Sequence, residues 1–348
     1  MQKRFVALLM LVSMLLLMVP ATNAQVGTAC FTLDQEDCDA INAAAAEARG
    51  LGSFNQEFTL DVSVSGLDIF ALIAPDAGVP ATIDLSVTGS GPVAFTPDSE
   101  DILVFDVTMN ADATLGMDTL SGPVQAQLVN NTLFLTFNDQ TLGIPLEEAV
   151  NEAAGAAGDA LGGGAAIDTQ TNPANLTELL GLDDAATTTA EDALAIVGLG
   201  QFFDYVRLAE EDVNGAAASP FLFTADLNGL LASPELENIA ALSGQDFNPE
   251  DLQILRDAIL ADFSVTQYVV NDTGLVQQLD VNTSFELDLG AAAGSPGLFD
   301  PIVLTIDFSV FVDEPNRDVT VTAPEEFELV DPNELGDALQ GTLGDAGL

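Results

Sequence analysis

Catalysis needs groups that move protons, attack an electrophile or hold a metal, and this sequence supplies few of them. There is no histidine, and of six lysines and arginines Lys3 and Arg4 lie at the start, leaving Arg49, Arg207, Arg256 and Arg317 as the cations of the rest. The commonest general base and the amine nucleophile are therefore missing from the body of the chain. Asp272-Thr273-Gly274 matches the core of an aspartic-protease motif, but that chemistry needs two carboxylates sharing one proton. The triplet occurs once and is followed by Leu275 rather than Ser or Thr, so it reads as a hairpin turn. Asp183-Asp184 and Glu210-Glu211-Asp212 are paired carboxylates of the kind a glycosidase uses. With 55 acidic residues in the chain, such pairs arise by chance and sit on solvated faces. The expectation is a protein that is not an enzyme, with no catalytic residue and no cofactor.

Metal chemistry fares no better. Asp226-Leu227-Asn228-Gly229 begins like a calcium loop but lacks the acidic positions that should follow. The two cysteines, Cys30 and Cys38, have neither Cys-x-x-Cys spacing nor a histidine partner, which argues against a redox or metal pair. In an oxidising compartment they form a local disulfide that ties the N-terminal segment to the first helix, around Asp37 to Arg49.

That compartment is read from the start of the chain. Lys3 and Arg4 precede an apolar run from Phe5 to Val19, Pro20 bends it off, and Thr22-Asn23-Ala24 offers a small-residue cleavage pattern. Residues 1–24 are thus expected to be a signal peptide cleaved after Ala24, and the protein secreted or extracytoplasmic. The run is shorter than the roughly 18 to 20 residues of a spanning helix, so no transmembrane span is expected. Gly27-Thr28-Ala29-Cys30 resembles the end of a lipobox, but the leucine three residues before the cysteine is missing, and lipid anchoring at Cys30 is not expected. The formal net charge of −49 repels nucleic acid and anionic headgroups. Hydrophobic residues at 48% of the chain, in periodic runs, exclude disorder.

The periodicity is mostly that of strands. Phe58, Leu60, Val62 and Val64 alternate with Thr59, Asp61, Ser63 and Ser65, and the same period of two recurs over Ile83–Thr88 and Phe105–Met109. Val124 to Val129 and Leu133 to Phe137 flank Asn130-Asn131-Thr132, residues that tolerate positive φ, and predict a hairpin. After Pro145 the spacing turns helical, with Leu146, Val150, Ala153, Ala157 and Leu161 on one stripe. A Gly- and Ala-rich stretch continues to about Thr188, and Thr188 with Glu191 suggests a capping box for a helix to about Phe203. Strands follow at Tyr205 to Leu208 and Phe221 to Leu227, then short helices after Ser233-Pro234 and Asn248-Pro249. A hairpin from Phe263 to Val270 and Leu275 to Leu289, and strands at Ile302 to Val312 and Val319 to Thr322, complete the pattern.

One-faced strands interrupted by helices predict an α+β fold: a curved antiparallel sheet of about ten strands, an open half-barrel with helices over its concave apolar face. Residues 25–348 form one domain in this reading, with a lid or linker at about 145–190. The hairpin Tyr268-Val269-Val270-Asn271-Asp272-Thr273-Gly274-Leu275, the strand Ile306-Asp307-Phe308-Ser309-Val310-Phe311 and the ending Val319-Thr320-Val321-Thr322-Ala323-Pro324-Glu325 resemble the C-terminal part of the LolA/LppX-type extracytoplasmic lipid and lipoprotein carriers. The resemblance implies an open β-barrel with a helical lid over a cavity that holds acyl chains. The expected partner is then a lipid or other apolar small molecule, or a lipidated protein, bound by a monomer. The expected cavity residues are Phe58, Leu60, Ile83, Leu85, Phe105, Val107, Leu135, Phe137, Phe285, Leu287, Ile306 and Phe308, and the expected lid residues Leu146, Val150, Ala157 and Leu161. The alternative is an acidic envelope-surface module of the same shape with a filled core and no ligand.

Overall fold

Asp34 starts the first helix, α1 (Gln35–Arg49), by accepting a hydrogen bond from the Asp37 backbone N–H at 3.0 Å. Glu36 and Asp37 place negative charge in its first turn, where the helix dipole favours it. The Cys30–Cys38 disulfide is present, with Cα atoms 5.4 Å apart, and joins the chain before α1 to its first turn as expected. The computed structural model describes residues 30–69, 80–95, 103–115, 118–137, 140–145, 200–233, 258–292, 295 and 297–330. The expected signal peptide, the lid residues Leu146, Val150, Ala157 and Leu161, and the helices after Pro234 and Pro249 lie outside them.

Among the described residues, thirteen strands make one open sheet. They are β1 (Ser53–Ser65), β2 (Ile83–Phe95), β3 (Leu103–Leu115), β4 (Asp118–Val129), β5 (Thr132–Phe137), β6 (Gln140–Pro145), β7 (Phe203–Arg207), β8 (Glu211–Val213), β9 (Ala216–Ala225), β10 (Ile259–Val270), β11 (Val276–Leu287), β12 (Ile302–Asp313) and β13 (Glu328–Leu329). Two antiparallel meanders, β1 to β6 and β9 to β12, meet where β1 pairs with β12 from Asn55↔Asp313 to Ser65↔Val303. The first and last long strands are thereby the centre of the sheet. Its outer members are β13, parallel to β6, and the short β7. Among the described residues the other α-helices are α2 (Leu227–Ala232) and α3 (Leu289–Ala292).

Local chemistry explains the joints. Asn130 and Asn131 take φ of 52° and 57°, the left-handed pair that a two-residue hairpin requires, so the β4–β5 turn forms as the sequence predicts. Asp272-Thr273-Gly274 is indeed the β10–β11 turn, with Gly274 at φ 69° and its N–H donating to the Val270 carbonyl at 2.8 Å. Where β9 ends, Asn228 of α2 continues the ladder with its side chain. Its amide oxygen accepts from the Ala261 N–H at 3.0 Å and its amide nitrogen donates to the Ala261 carbonyl at 3.2 Å.

The fold class stands, with local corrections. Most of the helix expected from Thr188 to about Phe203 lies outside the described residues, and at its expected end Phe203 already belongs to a strand. A 3₁₀ turn at Gly200–Phe202 leads straight into β7, whose alternating Phe203 and Tyr205 join the apolar face of β9. The strand expected at Phe221 to Leu227 begins at Ala216 and stops at Ala225, because Asp226 caps α2 through the Gly229 N–H at 2.7 Å. Val319–Thr322 forms no ladder: β12 is already paired on both edges, and positive-φ Glu314 and Asn316 turn the chain away from it. The short β6, β8 and β13, with little alternation to reveal them, raise the strand number above the expected ten.

Candidate functional site

Register decides which side chains share a face, since directly opposed residues of antiparallel strands project to the same side. One rung runs across seven strands as Leu279, Val310, Phe58, Gly89, Met109, Val124 and Phe137. The next includes Val281, Phe308, Leu60 and Val87, and below it come Ile306, Val62 and Leu85, then Phe285, Leu304, Val64 and Ile83. Val107 opposes Ala126, which opposes Leu135, and Phe105 opposes Leu128. Leu287 faces Ile302. All twelve residues expected to line an apolar site therefore lie on one face of one sheet.

They do not share one environment. Phe58, Leu60, Leu85, Phe105, Val107, Leu135 and Phe308 are buried in a single apolar cluster that also holds Val62, Val87, Met109, Leu128 and Val310, and Ile83 is buried outside it. Phe137 and Ile306 pack against that cluster but are only partly buried. Phe285 is 37% exposed, and Leu287 beside it is half-buried. The accessible part of the apolar face is thus the end of β10 to β12, where Phe263, Val265, Val281 and Leu304 are also half-buried.

At the β7 end of the same face sits α1. Ile41 and Ala44 are 1% and 0% exposed against Tyr205, Phe221 and Val269. The rings of Phe31, Phe203 and Phe223 meet at centroid distances of 5.3 to 5.9 Å. These aromatics are not among the residues expected on the face, although the alternation of Phe221 and Phe223 in β9 is the pattern that marks them. Burial raises the Tyr205 phenol far above its ordinary range, and its hydroxyl donates to Gln267 at 2.9 Å. Arg207 reaches Asp37 of α1 at 3.2 Å and lies 5.9 Å from the Phe221 ring centre.

The opposite face is polar. Gln278, Phe311, Glu57, Ser90 and Thr108 form one of its rungs, and Asp280, Ser309, Thr59, Thr88 and Asn110 the next. All of these except Asp280, together with Phe58 and Gly89, line a groove of about 470 Å³. A smaller depression of about 260 Å³ continues it, where Asp61 stands opposite Asp307 with Asp84 and Asp112 nearby. Among the described residues, no group of Cys, Asp or Glu is arranged to hold a metal ion. Glu210 of the Glu210-Glu211-Asp212 run accepts from the Asn271 amide at 3.2 Å. Neither groove was legible in the sequence.

No helix among the described residues is long and apolar enough to cross a membrane. No family model matches the sequence, and no curated protein matches it. Solved structures give distant likenesses. The lipoprotein LppX of Mycobacterium tuberculosis shares 11% identity over 82% of this chain and 97% of that one, with a TM-score of 0.27. LprF of Mycobacterium bovis shares 11% over 84% and 98%, with a TM-score of 0.33. Lipovitellin shares 11% over 80% of this chain and 27% of its own, with a TM-score of 0.31.

Proposed function

We propose that the protein is an extracytoplasmic, non-enzymatic carrier that receives an apolar ligand, an acyl chain or a lipid, on the apolar face of its sheet at the β10–β12 end. The observation that supports this is the gradient of exposure along one continuous apolar face. Phe58, Leu60 and Phe308 are sealed, whereas Phe285 is 37% exposed and Leu287 and Ile306 are half-buried. An apolar side chain left in contact with water at the edge of a buried cluster gains if a ligand covers it.

Affinity in this reading comes from burial alone. Each methylene removed from water contributes about 0.8 kcal/mol, so an acyl chain needs no designed polar contact. The net negative charge of the chain keeps the carrier soluble and off anionic membrane surfaces between encounters. Lys and His are not required for such a mechanism, which fits a chain without histidine.

The nearly complete burial of the β1–β5 part of the face favours a second reading, a packed acidic envelope module with no ligand. Native mass spectrometry of the protein purified from its own secretion route, with organic extraction of any bound mass, separates the two. A lipid retained close to one-to-one supports the carrier. An empty protein that also fails to take up a fluorescent fatty acid supports the packed module.

A further inference from the structure

The polar face holds a built groove whose chemistry differs from that of the apolar face. Its rungs present hydroxyl and amide groups from Thr59, Thr88, Asn110 and Gln278, which both donate and accept hydrogen bonds. Among the described residues that line it there is no lysine or arginine, and Glu57 stands in it with the Asp61–Asp307 pair two rungs on. Phosphate, sulfate and carboxylate ligands are therefore repelled, and an acyl chain would strand the polar groups without partners. A volume of about 470 Å³ lies within the usual range of small-molecule sites, and the groove is open across the strands, so an extended chain of units can pass through it.

Two features fix the groove in advance of any ligand. Phe311 breaks the polar alternation of β12, opposite both Glu57 and Gln278, and packs against a small cluster of Val213, Ala218 and Val270, so its ring is held on the polar face. Asp280 accepts from Gln278 at 3.0 and 3.1 Å and from the Ser309 hydroxyl at 2.6 Å, which locks the β11–β12 end. A rigid aromatic beside an array of neutral donors and acceptors suits a ring that is apolar on its faces and hydroxylated at its rim. We infer that this groove binds a neutral oligosaccharide, with Phe311 stacking on a sugar ring and Thr59, Thr88, Asn110, Gln278 and Glu57 bonding its hydroxyls.

The test is saturation-transfer NMR and calorimetry on the full secreted protein with neutral gluco-, galacto- and manno-oligosaccharides, and with an oligogalacturonide as the anionic counterpart. The expected result is binding of at least one neutral oligosaccharide and none of the anionic one. Thr59→Val with Thr88→Val should weaken that binding about tenfold, as expected for two lost hydrogen bonds. Valine suits a strand, so the fold should be retained. Asn110→Ala, at the far end of the groove, serves if that double variant does not fold. Absence of neutral-sugar binding at millimolar concentration overturns the inference, and so does binding that these variants leave unchanged. Uptake of a fluorescent fatty acid, read in the same variants, should not move, which separates this groove from the apolar face.

Discussion

The ring of Phe58 lies against Gly89 on the neighbouring strand, so that a Cβ added at Gly89 would stand 2.6 Å from the ring. Glycine in mid-strand normally weakens a sheet, but here its missing side chain is the space the aromatic occupies. Gly89→Ala should therefore overpack the cluster and cost about 1–3 kcal/mol in urea unfolding. Gly91→Ala should cost more, since its Cβ would meet the Asp106 carbonyl oxygen at 2.0 Å and no side-chain motion relieves a backbone clash. Equal costs for the two would contradict this account.

Burial separates core from site. Leu60→Ala, at 2% exposure in the centre of the sheet, should lose about 2–5 kcal/mol of stability. Phe285→Ala, at 37% exposure, should lose far less and yet reduce uptake of a fluorescent fatty acid. Paired denaturation and uptake titrations check this, and unchanged uptake in the Phe285 variant would remove that residue from the proposed site.

The disulfide loop also guards a sheet edge. Thr32 accepts from the Tyr205 N–H at 2.8 Å and donates to the Tyr205 carbonyl at 3.0 Å, and it also bonds Asp204, so its hydroxyl covers the outer side of β7. Exposed edges invite pairing with another chain. Reduction, or Cys38→Ser, should lower stability by about 2–3 kcal/mol for so short a loop. Amide exchange at Tyr205 should quicken while the β1–β12 ladder stays protected. Uniform loss of protection across the sheet would show that the loop holds more than this edge.

The chain has two tyrosines and no tryptophan, so tyrosinate absorbance reports them cleanly. Burial raises Tyr205, and Tyr268 is pushed up to about 12 by burial, with the Asp280 charge and hydrogen bond adding to it. Both groups hold their protons longer in the folded state than the ordinary value of 10.0 allows. Their stabilising contribution is whole below about pH 10 and declines as pH rises from there toward the folded values, because only the unfolded chain ionises in that window. A spectrophotometric titration should show neither phenol ionising near pH 10, and the melting temperature should begin to fall above it. Tyr205→Phe should flatten that fall.

Alternation of period two is a local property, so the sequence by itself determined which side chains of β1, β2, β3, β5, β11 and β12 share a face. The twelve expected apolar residues share one face of the sheet, and the Asn130-Asn131 turn, the Cys30–Cys38 pair and the Asp272-Thr273-Gly274 turn are equally local and equally legible. Pairing order is not local. Only the tertiary structure placed β1 beside β12, and only that pairing brought Glu57 between Phe311 and Ser90 to make the polar groove. Exposure is not local either: Phe58 and Phe285 carry the same side chain in similar strands, and one is sealed while the other meets water because their neighbours across the sheet differ.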